Sequence, residues 1–441
     1  MRMVAALRRL WHHAPFRRLL WLRTVSQAAD GTLQVGMASY ILFSPQSQPS
    51  AAAIAGVLAL TLLPFTLVGP FVSPLLDRWP RRDVALYSDL ARTVLAALIG
   101  VIIATGSTTG AWAAALYAAL LVAMSINRFM LAGLSAGLQH TVEPDEYLTA
   151  SSILPTVGPL GVVVGAVLGF ATRALLGGVL PAHQADAVVF AIAAALFLGS
   201  VSIARGFPRG ALGPDVVGEA PRIRTVAAGL AEAARHLRAR PASVLALTVM
   251  AATRLLFGLY SVAVILAARH LWHPADRPGD ALADLTVWGL LTGAGFVLAA
   301  PVVPALVRVL GLRRASVLLL TVGAVVSAGI AFTTARPVIF AAGFAVGLVV
   351  QSVKICVDTV VQAHVEEQFK GRAFTFYDMA YNAAFVAAGL VAIVALPPTG
   401  LSAPAFLAVA AGYLAAAAAM LAGAARLAPG DLERGTADLL G

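Results

Sequence analysis

Long apolar runs recur along the chain, separated by short intervals rich in arginine, glycine and proline. A helix needs about 20 predominantly apolar residues to cross a bilayer. Twelve intervals meet that demand: 19–43, 52–75, 84–106, 112–137, 150–175, 186–204, 242–268, 284–307, 315–334, 337–363, 373–396 and 402–426. We number them spans 1 to 12. Spans 1, 4 and 10 carry internal polar groups and have the least sharp edges. An even count puts both chain ends on one side of the membrane.

The arginines give the orientation. Placing both termini in the cytoplasm assigns 23 basic residues to that side and four (Arg173, Arg269, Arg277 and Arg336) to the other. That bias follows the rule that positive loops stay inside. The basic N-terminus has interfacial Trp11 and Trp21 but no small-residue cleavage site after a short apolar core, so no signal peptide removal is expected.

Composition narrows the class. Of 441 residues, 60% are hydrophobic and 12% charged, about half the charged share of a water-soluble domain. A soluble enzyme, a disordered chain and a fibrous protein are excluded. The single cysteine, Cys356, allows no intrachain disulfide. The net charge of +10 would suggest nucleic acid on a soluble protein. Here the loop bias accounts for it, and no nucleic-acid partner is expected.

The longest polar interval, 205–241, lies between spans 6 and 7. After a Gly- and Pro-rich start, Ile223, Val226, Leu230, Ala234 and Leu237 recur at steps of three and four. This predicts a basic amphipathic helix on the inner membrane surface, serving as a linker. A shift of about 223 residues overlays Gln139, Val142, Glu143 and Ala150 on Gln362, Val365, Glu366 and Ala373. The fold class expected is therefore an all-α membrane protein, twelve transmembrane helices in two pseudo-symmetric six-helix halves. The division is a basic N-terminus (1–18), a first half (19–204), the linker (205–241), a second half (242–427) and a cytoplasmic tail (428–441).

Charges inside the spans single out candidate chemistry, because one at mid-bilayer costs roughly 2.5–3.5 kcal/mol on insertion scales. In span 1, Gln27, Asp30 and Gln34 share a helical face. Arg254 lies at nearly the same depth of span 7, which suggests that it faces Asp30 across a central cavity; the other reading is a local helix contact for each. Span 10 carries Gln351, Lys354 and Asp358, the last two spaced for an intrahelical pair. Span 11 has Asp378 and Asn382, and span 4 has Arg128. A shielded carboxyl can exchange protons near neutral pH, so Asp30 and Asp378 are the proton-carrier candidates. Asp89 and Arg92 are assigned to packing beneath the arginine loop.

That loop reads Ser73-Pro74-Leu75-Leu76-Asp77-Arg78-Trp79-Pro80-Arg81-Arg82. It resembles the signature of the major facilitator superfamily between helices 2 and 3: Gly, three residues, Asp-Arg, any residue, Gly, then a basic cluster. Asp77, Arg78, Arg81 and Arg82 match; Ser73 and Pro80 replace the glycines. The matching loop of the second half keeps Arg308, Arg313 and Arg314 but has no aspartate. Arg128, the Gly158-Pro159-Leu160-Gly161 fragment and the stretch from Gln362 to Asn382 are similar to bacterial, actinobacterial-type efflux members. The resemblance implies alternating access, with spans 1, 4, 7 and 10 lining the cavity. It also implies a cytoplasmic latch at Asp77, Arg78, Arg81 and Arg82.

Other motifs carry no chemistry here. Gly133-Leu134-Ser135-Ala136-Gly137 has the GxSxG pattern but lies inside an apolar span, not a strand-turn-helix elbow. His12-His13 and His270-x-x-His273 lack neighbouring ligands at metal spacing, and no Walker loop occurs. The expectation is no catalytic residue, no metal and no cofactor, with a proton gradient as energy source. The function expected is an antiporter exporting small amphipathic organic molecules as a monomer. Its setting is the bacterial inner membrane, multi-pass, with both termini cytoplasmic. Two alternatives stay open: uptake or facilitated transport of a metabolite, and a non-transporting sensor or scaffold.

Overall fold

A computed structural model of the chain describes residues 9–43, 50–52, 54–56, 58–59, 62, 79–106, 110–143, 146–213, 223–274, 277–428 and 430–433. Its long elements are all helices: α1 (Ala14–Phe43), α2 (Arg81–Ala104), α3 (Gly110–Gly137), α4 (Tyr147–Leu176) and α5 (Ala182–Arg205). The shorter α6 (Ile223–Arg238) precedes α7 (Pro241–His270), α8 (Pro278–Leu310), α9 (Leu312–Ile330), α10 (Arg336–His364), α11 (Glu367–Ala395) and α12 (Ala403–Ala425). Each of spans 1 and 3–12 falls on one long helix. Most of span 2 lies outside the described residues.

Among the described residues, ten helices are long and apolar enough to cross a membrane. The eleventh, α1, is long enough at 30 residues but too polar, because Arg23, Gln27, Asp30 and Gln34 interrupt it. Arg23, Gln27 and Asp30 are buried in protein, Asp30 only 1% exposed, and Gln34 is half-buried, so the helix tolerates them. Rows of exposed apolar side chains, among them Val94 and Val101 on α2 and Val163, Val164 and Val167 on α4, suit lipid contact and would be a liability in water.

Two compact units form, Met1–Ser44 with Leu67–Val226, and Pro45–Thr66 with Ala227–Gly441. In the first, α1 packs on α4 and α5, and α2 on α3 and α5. In the second, α7 packs on α11 and α12, and α9 on α10 and α12. The internal repeat thus appears as one packing scheme used twice. The described residues from 50 to 62 belong to the second unit, although the sequence order groups them with the first half. There Ala55 lies against Gly389, and Leu58 and Leu62 join a core of Phe257, Tyr260, Val346 and Phe385.

Close helix contact rests on small residues. At the α1/α4 crossing Gly31 abuts the Val162 carbonyl, and Gly161 and Gly165 abut those of Thr24 and Ala28. Thr32 Oγ1 donates to the Gly165 carbonyl at 2.9 Å. Gly311 has φ of 76°, which breaks the chain between α8 and α9 at no side-chain cost. At the far end of the first unit Asp186 accepts from Arg173 Nε at 2.7 Å and from Ser39 Oγ at 2.8 Å, joining α1, α4 and α5.

The linker helix α6 docks on protein, with Ala233 and Leu237 buried. His236 stacks on Phe369 with centroids 4.0 Å apart, and Arg372 lies 3.3 Å from Glu232. Just beyond the helix, Arg240 reaches Glu366 at 2.5 Å and the His364 carbonyl at 2.7 Å.

Candidate functional site

The first unit buries a connected polar network among α1, α2, α3 and α5. Arg92 is fully buried with a carboxylate on either side: Nη2 donates to Asp30 Oδ1 at 2.6 Å and Nη1 to Asp89 Oδ1 at 3.0 Å. Its guanidinium carbon sits 4.1 Å from the Phe197 ring centroid, so an aromatic face adds to the stabilisation of the cation. Asp30 Oδ2 also accepts from Gln34 Nε2 at 2.7 Å and Asn127 Nδ2 at 2.9 Å. Gln27 Nε2 in turn donates to Asn127 Oδ1 at 3.1 Å. Asp89 accepts from Ser26 Oγ at 3.1 Å and Ser200 Oγ at 2.5 Å. Each carboxylate therefore has three donors, which is what an ionised group needs away from water.

Both oxygens of Asp30 are engaged inside the first unit by Arg92, Gln34 and Asn127, so its charge partner within that unit is Arg92. Asp89 and Arg92 belong to this network and not to packing under the arginine loop. The reason is helical spacing: Asp89 and Arg92 are three apart, one turn along α2, at the level where α1 presents Ser26 and Asp30. The i,i+3 acid–base pair inside span 3 was the available signal. Asn127 carried none, since an uncharged amide beside Arg128 draws less notice than the charge. Arg128 itself lies half-buried on α3.

In the second unit, Arg254 on α7 has its guanidinium carbon 4.1 Å from the Phe385 ring centroid, 4.2 Å from Tyr381 and 5.4 Å from Phe257. Lys354 and Asp358 form the intrahelical pair that their spacing implies, at 2.8 Å. Lys354 Nζ also lies 5.2 Å from the Tyr377 ring centroid and 5.9 Å from that of Tyr381. Gln351 is half-buried on the same helix. On α11, Asn382 Nδ2 donates to the Asp378 main-chain carbonyl at 2.8 Å, so the side chains of Asp378 and Asn382 are not joined by that bond. Lys354 of span 10 thus lies beside Tyr377 and Tyr381 of span 11.

The loop cluster divides. Asp77 and Arg78 lie outside the described residues. Arg81 is buried, and its Nη1 donates to the carbonyls of Ala136 at 3.0 Å and Leu212 at 3.1 Å. Arg82 Nε donates to the Phe207 carbonyl at 3.3 Å, and Arg18 from α1 reaches the Gly206 carbonyl. Three arginines therefore hold main-chain carbonyls just beyond α5, where the linker leaves the first unit. Ser135, of the GxSxG pentapeptide, sits mid-helix and donates to the Leu131 carbonyl at 2.9 Å; no strand-turn-helix elbow surrounds it.

A sequence profile of the Major Facilitator Superfamily matches residues 20–389. Proteins of Mycobacterium tuberculosis and Mycobacterium bovis, each described as an uncharacterized MFS-type transporter, are 32% identical over 395 residues, covering 89% of this chain and 87% of theirs. Among solved structures, the nucleoside transporter NupG aligns with a TM-score of 0.65 at 12% identity, over 93% of this chain and 99% of that one. The Escherichia coli fucose:proton symporter FucP aligns with a TM-score of 0.57 at 12% identity, over 93% and 98%.

Proposed function

The chain belongs to the Major Facilitator Superfamily, and on that premise we propose that this membrane transporter couples proton movement to export of small amphipathic organic molecules by alternating access. Its setting would be the bacterial cytoplasmic membrane with both termini inside, as the arginine bias indicates. The observation that carries the proton reading is the Asp30–Arg92–Asp89 group. It holds two carboxyls and one guanidinium, so it bears one net negative charge when both acids are ionised and none when one is protonated. A net charge in that dry junction is costly and a neutral group is not. Loading and releasing one proton would therefore change the energy of the contact joining α1, α2, α3 and α5.

Within the group, Asp89 is the better proton acceptor on geometric grounds. Arg92 can only donate, and the Asn127 amide is held in its donating orientation by Gln27. Ser200 can reverse: its Oγ lies 3.4 Å from the Leu22 carbonyl as well as 2.5 Å from Asp89. It could accept a hydrogen bond from a protonated Asp89 while donating to the Leu22 carbonyl. Asp30 would then fix Arg92 while Asp89 carries the proton.

The test is ligand-driven proton flux in liposomes under an imposed pH gradient, screened with amphiphilic cations, organic anions and lipids. Flux with one ligand class, lost in Asp89→Asn while ligand exchange continues, is the expected result. Proton flux that survives both Asp89→Asn and Asp30→Asn overturns the coupling site. Binding without flux in the unaltered protein would favour a facilitator or a sensor.

A further inference from the structure

Two arginines, the buried Arg92 in the first unit and the half-buried Arg254 in the second, are treated differently. Arg92 has two carboxylates. Arg254 has aromatic faces and, among the described residues, no carboxylate within ion-pair distance. Its Nε is buried without a hydrogen-bond partner. Aromatic faces offset the charge of a cation but accept none of its in-plane N–H groups. A guanidinium has five such donors in a planar fork, and that fork matches a planar oxyanion. The nearby Lys354 is already neutralised by Asp358 at 2.8 Å, so Arg254, Lys354 and Asp358 together carry one net positive charge.

We infer that Arg254 is the recognition group for the anionic head of the transported molecule, a monoanionic carboxylate attached to an apolar or aromatic body. Phe385, Tyr381 and Phe257 hold the guanidinium in place by stacking, leaving its N–H fork for the ligand. Phe257 and Phe385 lie with centroids 5.8 Å apart, and Tyr377 and Tyr381 stack at an interplanar angle of 14°. These rings offer an apolar wall beside the charge. Cationic amphiphiles would meet the Arg254 cation here and be repelled. The inference rests on the transport reading for its physiological meaning, but the binding itself does not depend on proton coupling.

The experiment is equilibrium binding to the purified full-length chain in detergent, using three probes of one shape: 2-naphthoate, 2-naphthalenemethanol and 2-naphthylmethylamine. The unaltered protein should prefer naphthoate to the alcohol and reject the amine. Arg254→Gln should weaken naphthoate by about tenfold or more, the loss of a charge-assisted hydrogen bond, while alcohol binding stays the same. Arg254→Lys should restore part of the preference, since it keeps the charge and loses the fork. Melting temperatures of all three proteins control for unfolding. Equal binding of naphthoate and alcohol by the unaltered protein overturns the inference, as does a naphthoate preference that survives Arg254→Gln. Naphthoate bound through Arg254 without proton flux would leave this inference standing and remove the coupling mechanism instead.

Discussion

Arg92 Nη2 lies 2.6 Å from Asp30 Oδ1, although the two residues are 62 positions apart and on different helices. The same guanidinium reaches Asp89 at 3.0 Å, so one cation links α1 and α2 and is shared by two acids. Buried charges survive only in such company. The junction is therefore a structural tie, and in the proposed mechanism it is also the group that would carry the proton.

Removing the cation should be severe. Arg92→Leu leaves two carboxyls without their counter-charge, and breaking a buried pair from one side costs about 3–5 kcal/mol. We expect a large fall in melting temperature in detergent, partly recovered when Asp30→Asn and Asp89→Asn are added. A single Arg92→Leu variant that melts with the unaltered protein would show that the junction contributes little to stability.

At the α1/α4 crossing, a side chain on Gly165 would run into the Ala28 carbonyl and disturb the bond from Thr32. Gly165→Leu should abolish folded, monodisperse protein, since overpacking typically costs about 1–3 kcal/mol and backbone cannot yield here as a side chain would. Gly178, which has nothing within 4 Å of such an atom, should accept the same change without loss. Size-exclusion profiles of the two variants decide it.

Arg81 ties the linker root to α3 through Ala136 and Leu212, and its own amide donates to the Gly213 carbonyl at 3.0 Å. Arg81→Ala removes two of these bonds, and each buried carbonyl left unpaired costs about 1–3 kcal/mol. Amide exchange over 206–213 should quicken while α5 stays protected. Unchanged exchange there would mean that Arg82 and Arg18 suffice to hold the root.

Docking of α6 should depend on pH through His236. Desolvation against Phe369 lowers its pKa from the ordinary 6.5, and the neighbouring Arg240 cation lowers it further. A lowered histidine pKa means that the docked state prefers the neutral ring. Its stabilisation is present above the unperturbed value and is lost as pH falls through the docked-state pKa. A spin label at the exposed position 231 should become more mobile on acidification, and His236→Phe should flatten the profile. Mobility that does not change with pH in the unaltered protein would rule the histidine out.

Several of these features are legible in the sequence. Lys354 and Asp358 pair as their i,i+4 spacing requires, and Ser135 sits mid-helix where an apolar run places it. Asp30 was visible as a charge in a span, but its partner was not. The face shared by Gln27, Asp30 and Gln34 says which way α1 must turn its polar side; it does not say what stands opposite. Likewise the period of α6 gave an apolar face, and a membrane surface and a protein surface satisfy such a face equally well.

The sequence by itself determined the solvent, the helices and the loops, because these depend on local quantities: twenty apolar residues, a run of arginines, a glycine or proline at a boundary. Only the tertiary structure decided which buried charge meets which. Read from the sequence, Asp30 is matched with Arg254 and Arg92 is assigned to the arginine loop; both arginines are insertion-costly and on apolar helices, and nothing local distinguishes them as partners. Helix packing set by Gly31, Gly161 and Gly165 brings α1 against α4, and the contacts of α5 with α1 and α2 bring Asp30, Asp89 and Ser200 into one junction. That geometry engages both oxygens of Asp30 within its own unit and leaves Arg254 on three aromatic faces.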